Sequence, residues 1–453
     1  MISPAEGLYP QKYTSMGTFI MIAQLLLGLS IIVGLHELGH LLTAKLFKMR
    51  VERFSIGFPP RIFGVRWGET RYELGAIPMG GFVKISGMID ESFDTKHLKE
   101  EPQDYEFRAK PAWQRLIVMM GGILVNIFTG ILMFIGIVYY WGDSYIPASE
   151  MQKHGIVAYE LAREIGLKTG DKILAVNGQK IQKYEEILSA KTLLESNSYY
   201  TIERDGKKMD IPLPNNLVER LSGRNQTPRR FIEMQLPFEV GQVIGGRPAA
   251  KAGMKEGDQI VGFNGQKIRF FHELKDLQDK SKGKTIRLTL LRQGKTREIQ
   301  LRTQEDGTIG FFPKFRVNYQ QIEYSLAEAT TKGTADAFGS VVNNIKGFGK
   351  IFRGEVSTRA LSGPIGIAQI FGPNWDWFRF WQITAVLSMW LAFLNFLPIP
   401  ALDGGHVMFL SYEIISGHKP SDRFLTNAQT VGVVLLLGLM VFVIFNDIFN
   451  LFF

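Results

Sequence analysis

The chain of 453 residues contains no cysteine and only seven histidines. Without cysteine there is no disulfide framework, and nothing in the thiols reports the redox state of the compartment. Any zinc ion would have to be held by His, Asp or Glu. There is also no run of basic residues interleaved with aromatics. The net charge of +9, from 52 basic and 43 acidic residues, is therefore not read as a nucleic-acid surface. It fits the positive-inside bias of a membrane protein and contact with anionic lipid. Charge itself is missing from four stretches, 17–35, 116–141, 380–402 and 431–446. Each is close to the ~20 residues needed to cross a bilayer core, the last being short before Asp447.

The charged residues between these stretches set an expected topology. Lys45, Lys48, Arg50 and Arg53, then Arg108, Lys110 and Arg115, flank the first two apolar runs and place the loop between them in the cytoplasm. The N-terminus is then outside, with its first apolar run retained as a span because it lacks a basic n-region and a small-residue cleavage site. The polar region from about Trp141 to Trp375 is outside. The short loop carrying His418, Lys419 and Arg423 is inside.

At the end of the first span stands His36-Glu37-Leu38-Gly39-His40. On a helix, residues four apart share a face, so His36 and His40 can bind one Zn²⁺ while Glu37 takes a proton from a water at the metal. Ionisable groups at the end of a membrane span are costly unless functional, which points to a zinc protease acting within the membrane. The third span ends in Asn395-Phe396-Leu397-Pro398-Ile399-Pro400-Ala401-Leu402-Asp403-Gly404-Gly405-His406. Two prolines so close cannot continue a helix, and the glycines allow a tight turn. Asp403 is the favoured third ligand and His406 its competitor.

The loop around Arg71–Gly87 reads as short β segments broken by Pro and Gly pairs, with Phe54–Phe58 of similar character. It is either a small structural sheet or a hairpin, with Gly80, Gly81 and Phe82, that offers an edge to an extended substrate. The outer region holds a repeat. Gly166–Ile181 and Gly253–Ile268 match at an offset of 87 residues, each with a Gly-Asp turn, a short apolar strand and an Asn-Gly turn. Two tandem, mainly β domains are expected at 148–218 and 232–315, with helix candidates at Glu185–Leu194 and His272–Leu277, and their pattern resembles the PDZ domain. Such domains bind extended peptides by strand addition, or here serve as rigid spacers. After them, Ser325–Glu328 is a capping box. It opens an amphipathic helix that either lies on the membrane surface or packs under the outer region.

Together, the HELGH end of the first span, the N-x-x-P-x-P-x-x-D-G-G end of a later span and the tandem repeat resemble the site-2 protease family of intramembrane zinc metalloproteases, in its bacterial branch of regulator of sigma-E protease type. Phe107–Arg115 and Leu361–Ile367 look like further family segments. The resemblance implies cleavage of single-span membrane proteins within the bilayer, such as an anti-sigma factor and remnant signal peptides, in an envelope stress response. It implies residence in the bacterial inner membrane with the PDZ pair in the periplasm as a size filter, and substrate engagement by Asn395. The family often carries Gly-Pro-x-x-Asn in the second span, whereas this chain has Gly122-Ile123-Leu124-Val125-Asn126 without the proline. The expected fold is an α-helical membrane protein of about four transmembrane helices with a tandem PDZ-like insert between spans two and three. The segments are 17–45 (span one with the zinc motif), 46–112 (β loop, cytoplasmic or re-entrant), 113–142 (span two), 148–218 and 232–315 (PDZ-like), 325–375 (amphipathic helix and linker), 376–410 (span three with the third ligand) and 427–453 (span four).

Overall fold

The structure is a computed structural model that describes residues 15–88, 101–222, 230–358 and 361–452. Residues 89–100 of the β loop, 359–360 of the linker, Phe453 and the first 14 residues, where the outside N-terminus was expected, lie outside the described residues. The chain divides into two compact units. One comprises residues up to Asp143 with Ile322–Phe352 and Ser357 onward; the other comprises Ser144–Gln321 with Arg353–Val356.

The first unit is built on long helices: α1 (Ser15–Leu46), α2 (Ala112–Trp141), α3 (Leu326–Phe352), α4 (Pro364–Phe371), α5 (Trp377–Phe396), α6 (Asp403–Ser416) and α7 (Asp422–Phe452). Of these, α1, α2, α5 and α7 are long and apolar enough to cross a membrane. Lipid gives no hydrophobic drive for helices to associate, so close van der Waals packing at small residues must do it. This is what α1 and α2 use. A Cβ on Gly39 would lie 2.3 Å from the Gly121 carbonyl oxygen, and one on Gly121 would lie 2.6 Å from Thr43 Oγ1. The two backbones therefore meet at the HELGH motif itself.

The amphipathic segment forms α3, opened by the expected capping box: Ser325 N–H donates to Glu328 Oε2 (2.9 Å) and Glu328 N–H to Ser325 Oγ (3.4 Å). Its first half packs on α2. Ala329, Gly333 and Ala337 are buried, and a Cβ on Gly333 would come within 2.6 Å of Ile135 Cα. The helix thus belongs to the first unit, while Phe338, Val342, Ile345 and Phe352 remain exposed. The stretch expected as span three, 376–410, is two helices, of which α5 alone is long and apolar enough to cross a membrane. α5 stops at Phe396, Pro398 and Pro400 deny the ladder its N–H groups, Ala401 turns through φ 78°, and α6 restarts at Asp403. Span four begins earlier than 427, at Asp422.

The β loop forms strands β1 (Val51–Trp67) and β2 (Thr70–Ile85). Both are far longer than the short segments expected, yet each is bent where the prolines and glycines stand. Phe54, Ser55 and Ile56 pair with Val83, Phe82 and Gly81 on one side, and with Tyr72, Glu73 and Leu74 on the other. Beyond the bend, Phe63–Trp67 pairs with Leu74–Thr70. In this ladder residues 81–85 have strand partners on one side only, so they form an edge.

The second unit contains the repeat as two four-stranded sheets of equivalent order. In one, Gln179–Lys180, Lys172–Val176, Tyr199–Arg204 and Lys207–Pro212 lie side by side; in the other, Gln266–Lys267, Gln259–Phe263, Thr285–Arg292 and Lys295–Arg302 do so. Each sheet is braced identically. Arg204 donates to both carboxylate oxygens of Asp171 (2.7 and 2.6 Å) and to the Gly166 carbonyl (2.8 Å). Arg292 does the same to Asp258 (2.6 and 2.7 Å) and Gly253 (2.8 Å). The first core takes in Phe231, Ile232 and Met234, because Ile232–Met234 pairs with Ile156–Ala158; it therefore reaches past residue 218. The helix candidate at 185–194 is a 3₁₀ turn (Tyr184–Leu188) followed by a short helix (Ala190–Leu194), whereas the candidate at 272–277 is a single helix, Phe271–Asp279.

Candidate metal centre and cleft

The HELGH residues lie in the last third of α1, where no proline or capping residue interrupts the helix, so His36 and His40 project from one face. Both are buried. The chain reversal between α5 and α6 brings Asp403 to the same point. It is a crowded reversal: a Cβ on Gly404 would lie 2.1 Å from the Leu397 carbonyl oxygen, and one on Gly405 2.7 Å from that of Ile399. Only glycine lets α6 begin this close to the end of α5, and that closeness delivers the carboxylate.

Asp403 Oδ2 stands 3.0 Å from His36 Nε2 and 3.3 Å from His40 Nε2, and the two Nε2 atoms are 3.2 Å apart. Ligands about 2.05 Å from a tetrahedral zinc are spaced about 3.3 Å from one another. The triangle has that size. Its electronics point the same way. His40 Nδ1 lies 2.8 Å from the Val118 carbonyl oxygen, which requires the proton on Nδ1 and leaves the Nε2 lone pair aimed inward. Asp403 Oδ2 is buried without a hydrogen-bond partner. Lone pairs converging in a buried site repel unless a cation sits among them. Among the described residues this is the one cluster of three such groups able to hold a metal.

A cavity of about 560 Å³ opens beside the triangle, lined among others by Glu37, Gly81, Phe82, Asn395, Asp403 and His406. Glu37 shares the cavity with His36, His40 and Asp403, and the main chain of Val83 on β2 reaches its carboxylate. Asn395 Nδ2 is 3.3 Å from His36 Nε2. Gly81 lies on the cleft wall, where a Cβ would stand 2.7 Å from Ser55 O and 3.4 Å from the Glu37 side chain. Gly80 does not reach the cleft. It packs on the Phe58 ring, which does. His406 lines the cavity but stays outside the triangle, because it sits nearly a turn beyond Asp403 on α6.

Two contributors escape a reading of motifs. Asn126 is fully buried with its amide 3.3 Å from His36 Nδ1. The missing proline had left its register uncertain, although the Gly122-x-x-x-Asn126 spacing puts both on one face of α2. The Val118 carbonyl has no sequence signature, since any residue supplies it.

A family model described as Peptidase family M50 matches residues 24–439. Among curated proteins, a Neisseria meningitidis chain provisionally named a zinc metalloprotease is 29% identical over 446 residues, covering 93% of this chain and 97% of that one. The regulator of sigma E protease of Haemophilus influenzae is 27% identical over 457 residues, covering 96% and 99%. That of Salmonella typhimurium strain 14028s is 27% identical over 455 residues, covering 94% and 98%.

Proposed function

The chain belongs to peptidase family M50 and is a membrane zinc metalloprotease, and on that premise we propose that His36, His40 and Asp403 hold Zn²⁺ while Glu37 is the general base. The observation that carries this is the triangle of inward lone pairs, zinc-sized, with Glu37 on the same cavity wall. Zinc held there would supply Lewis acidity and would lower the pKa of a water toward neutrality. Glu37 is placed to take a proton from the attacking water as its oxygen adds to the scissile carbonyl. Glu37 then returns the proton to the leaving amine. Asn395, beside His36, donates from its amide to the substrate carbonyl as negative charge develops there.

The edge formed by residues 81–85 supports a role in holding substrate. A protease needs an extended chain, and a one-sided strand along the cleft offers main-chain hydrogen bonds to a segment unwound from a helix. Gly81 and Phe82 would contact it, with Gly80 keeping the bend behind them. The substrates we infer are single-span membrane proteins, of anti-sigma-factor type or signal-peptide remnants, cleaved in a regulated envelope stress response. The relatives named regulators of sigma-E protease support that class. The duplicated lobes are read as a PDZ-like pair on the periplasmic face of the bacterial inner membrane, acting as a filter on the outer parts of substrates.

The test is a purified, zinc-loaded chain in detergent with a tagged single-span substrate. Glu37→Gln should keep zinc and lose cleavage; His36→Ala and Asp403→Ala should lose both. Undiminished cleavage by Glu37→Gln would end the proposed mechanism.

A further inference from the structure

The two histidines face one strip of α2. Val118, Gly122 and Asn126 are spaced four apart, so they line one side of the helix. The Val118 carbonyl accepts a hydrogen bond from His40 Nδ1–H. Gly122 lies against both rings: a Cβ there would stand 2.5 Å from His40 Nε2 and 2.6 Å from His36 Cε1. Asn126 lies at His36 Nδ1, 3.3 Å away.

As it stands, the Asn126 amide turns Nδ2 toward His36 Nδ1 and leaves Oδ1 buried without a partner. A metal on His36 Nε2 requires the His36 proton on Nδ1, and then two donors face each other. A half-turn of the carboxamide removes the conflict and places Oδ1, the unpartnered acceptor, on the Nδ1 proton. The Asn126 backbone is pinned independently, its carbonyl accepting from Ser388 Oγ on α5 (2.9 Å).

We infer that Asn126 is a positioning residue whose Oδ1 accepts the His36 Nδ1–H, fixing the tautomer and ring angle with which His36 ligates zinc. The inference rests on the ligand set proposed above. It completes a pattern in which α2 supplies both outer-shell acceptors, one from main chain and one from a side chain. Outer-shell partners of ligating histidines are worth about 10- to 100-fold in metal affinity.

The experiment uses the full chain in detergent, stripped of metal and titrated with Zn²⁺ against a chromophoric chelator. Asn126→Leu should weaken zinc binding about 10- to 100-fold, with the unfolding midpoint of the metal-free protein little changed. Asn126→Asp, whose carboxylate accepts the same proton, should bind near the wild-type level. Asn126→Ala carries the same test as Asn126→Leu if the larger side chain does not fold. Wild-type zinc affinity in Asn126→Leu or Asn126→Ala, or failure of Asn126→Asp to exceed them, would overturn the inference. His36→Ala is measured alongside. Loss of zinc there with none in Asn126→Leu refutes only the role of Asn126, whereas retained zinc in His36→Ala refutes the ligand set itself.

Discussion

Gly122→Ala should weaken metal binding at least about 100-fold without altering a single ligand. The added methyl would stand 2.5 Å from His40 Nε2, 2.6 Å from His36 Cε1 and 2.8 Å from His36 Nδ1. Ordinary carbon–nitrogen contacts need about 3.4 Å, so rings or helix must yield by about 0.9 Å. The rings cannot both retreat and keep the triangle, because zinc sites tolerate distance errors of about 0.2 Å. Nor can α2 back away freely, because the adjacent Gly39 and Gly121 are in backbone contact. A displacement several times the tolerance should cost at least about 100-fold in zinc affinity, or about 2.7 kcal/mol. The assay is chelator competition on purified protein, with metal content by elemental analysis and cleavage of a single-span substrate in parallel. A Gly122→Ala protein that holds one zinc with wild-type affinity would refute the argument that α2 forms the floor of the site. Gly136, whose Cβ would meet nothing within 4 Å, is the control: Gly136→Ala on the same helix should be silent.

Other substitutions separate the remaining roles. Glu37→Gln should lower the turnover rate by about 10²–10⁴-fold at unchanged zinc content; a drop in zinc content would make Glu37 a ligand instead. His406→Ala should keep zinc, since the ring lies outside the triangle, while Asp403→Ala loses it; elemental analysis showing the reverse would exchange their roles. In the insert, burial pushes the Asp258 carboxyl up, but hydrogen bonds from Arg292 and the Lys255 N–H outweigh it and hold the group below its ordinary value. The stability it confers should therefore be complete above about pH 4 and fade as pH falls through the depressed value. Asp258→Asn should lower the thermal unfolding midpoint of the insert at pH 7, with the gap closing in acid; a gap that widens in acid would contradict the sign.

Much of the site is legible because its chemistry needs particular side chains at fixed spacings. His36, Glu37 and His40 announce themselves by the i, i+4 rule. Asp403 does so by standing after Pro398 and Pro400, which must break a helix, and before Gly404 and Gly405, which permit the crowded restart. The arrangement of the β loop is not legible in the same way. Its Pro and Gly breaks can be read, but the pairing of Phe54–Ile56 with two separate stretches of β2 depends on partners far along the chain and on the wall that α1 provides. The Val118 carbonyl is invisible for a more basic reason, since a backbone acceptor leaves no trace in residue type. The extent of the first lobe is obscured because the strand that completes its core, Ile232–Met234, comes after the lobe's own repeat has ended.

The paired braces in the insert say something about its history. Asp171 and Asp258 are separated by 87 residues and Arg204 and Arg292 by one more, yet the same guanidinium atoms bind the same carboxylate oxygens and the same glycine carbonyl in each copy. Convergence has no need to reproduce such detail; duplication of one ancestral lobe does so at once. An ancestor with a single lobe would already have had a closed core and a complete brace. Each lobe therefore carries its own core and its own brace, and neither borrows these from its neighbour.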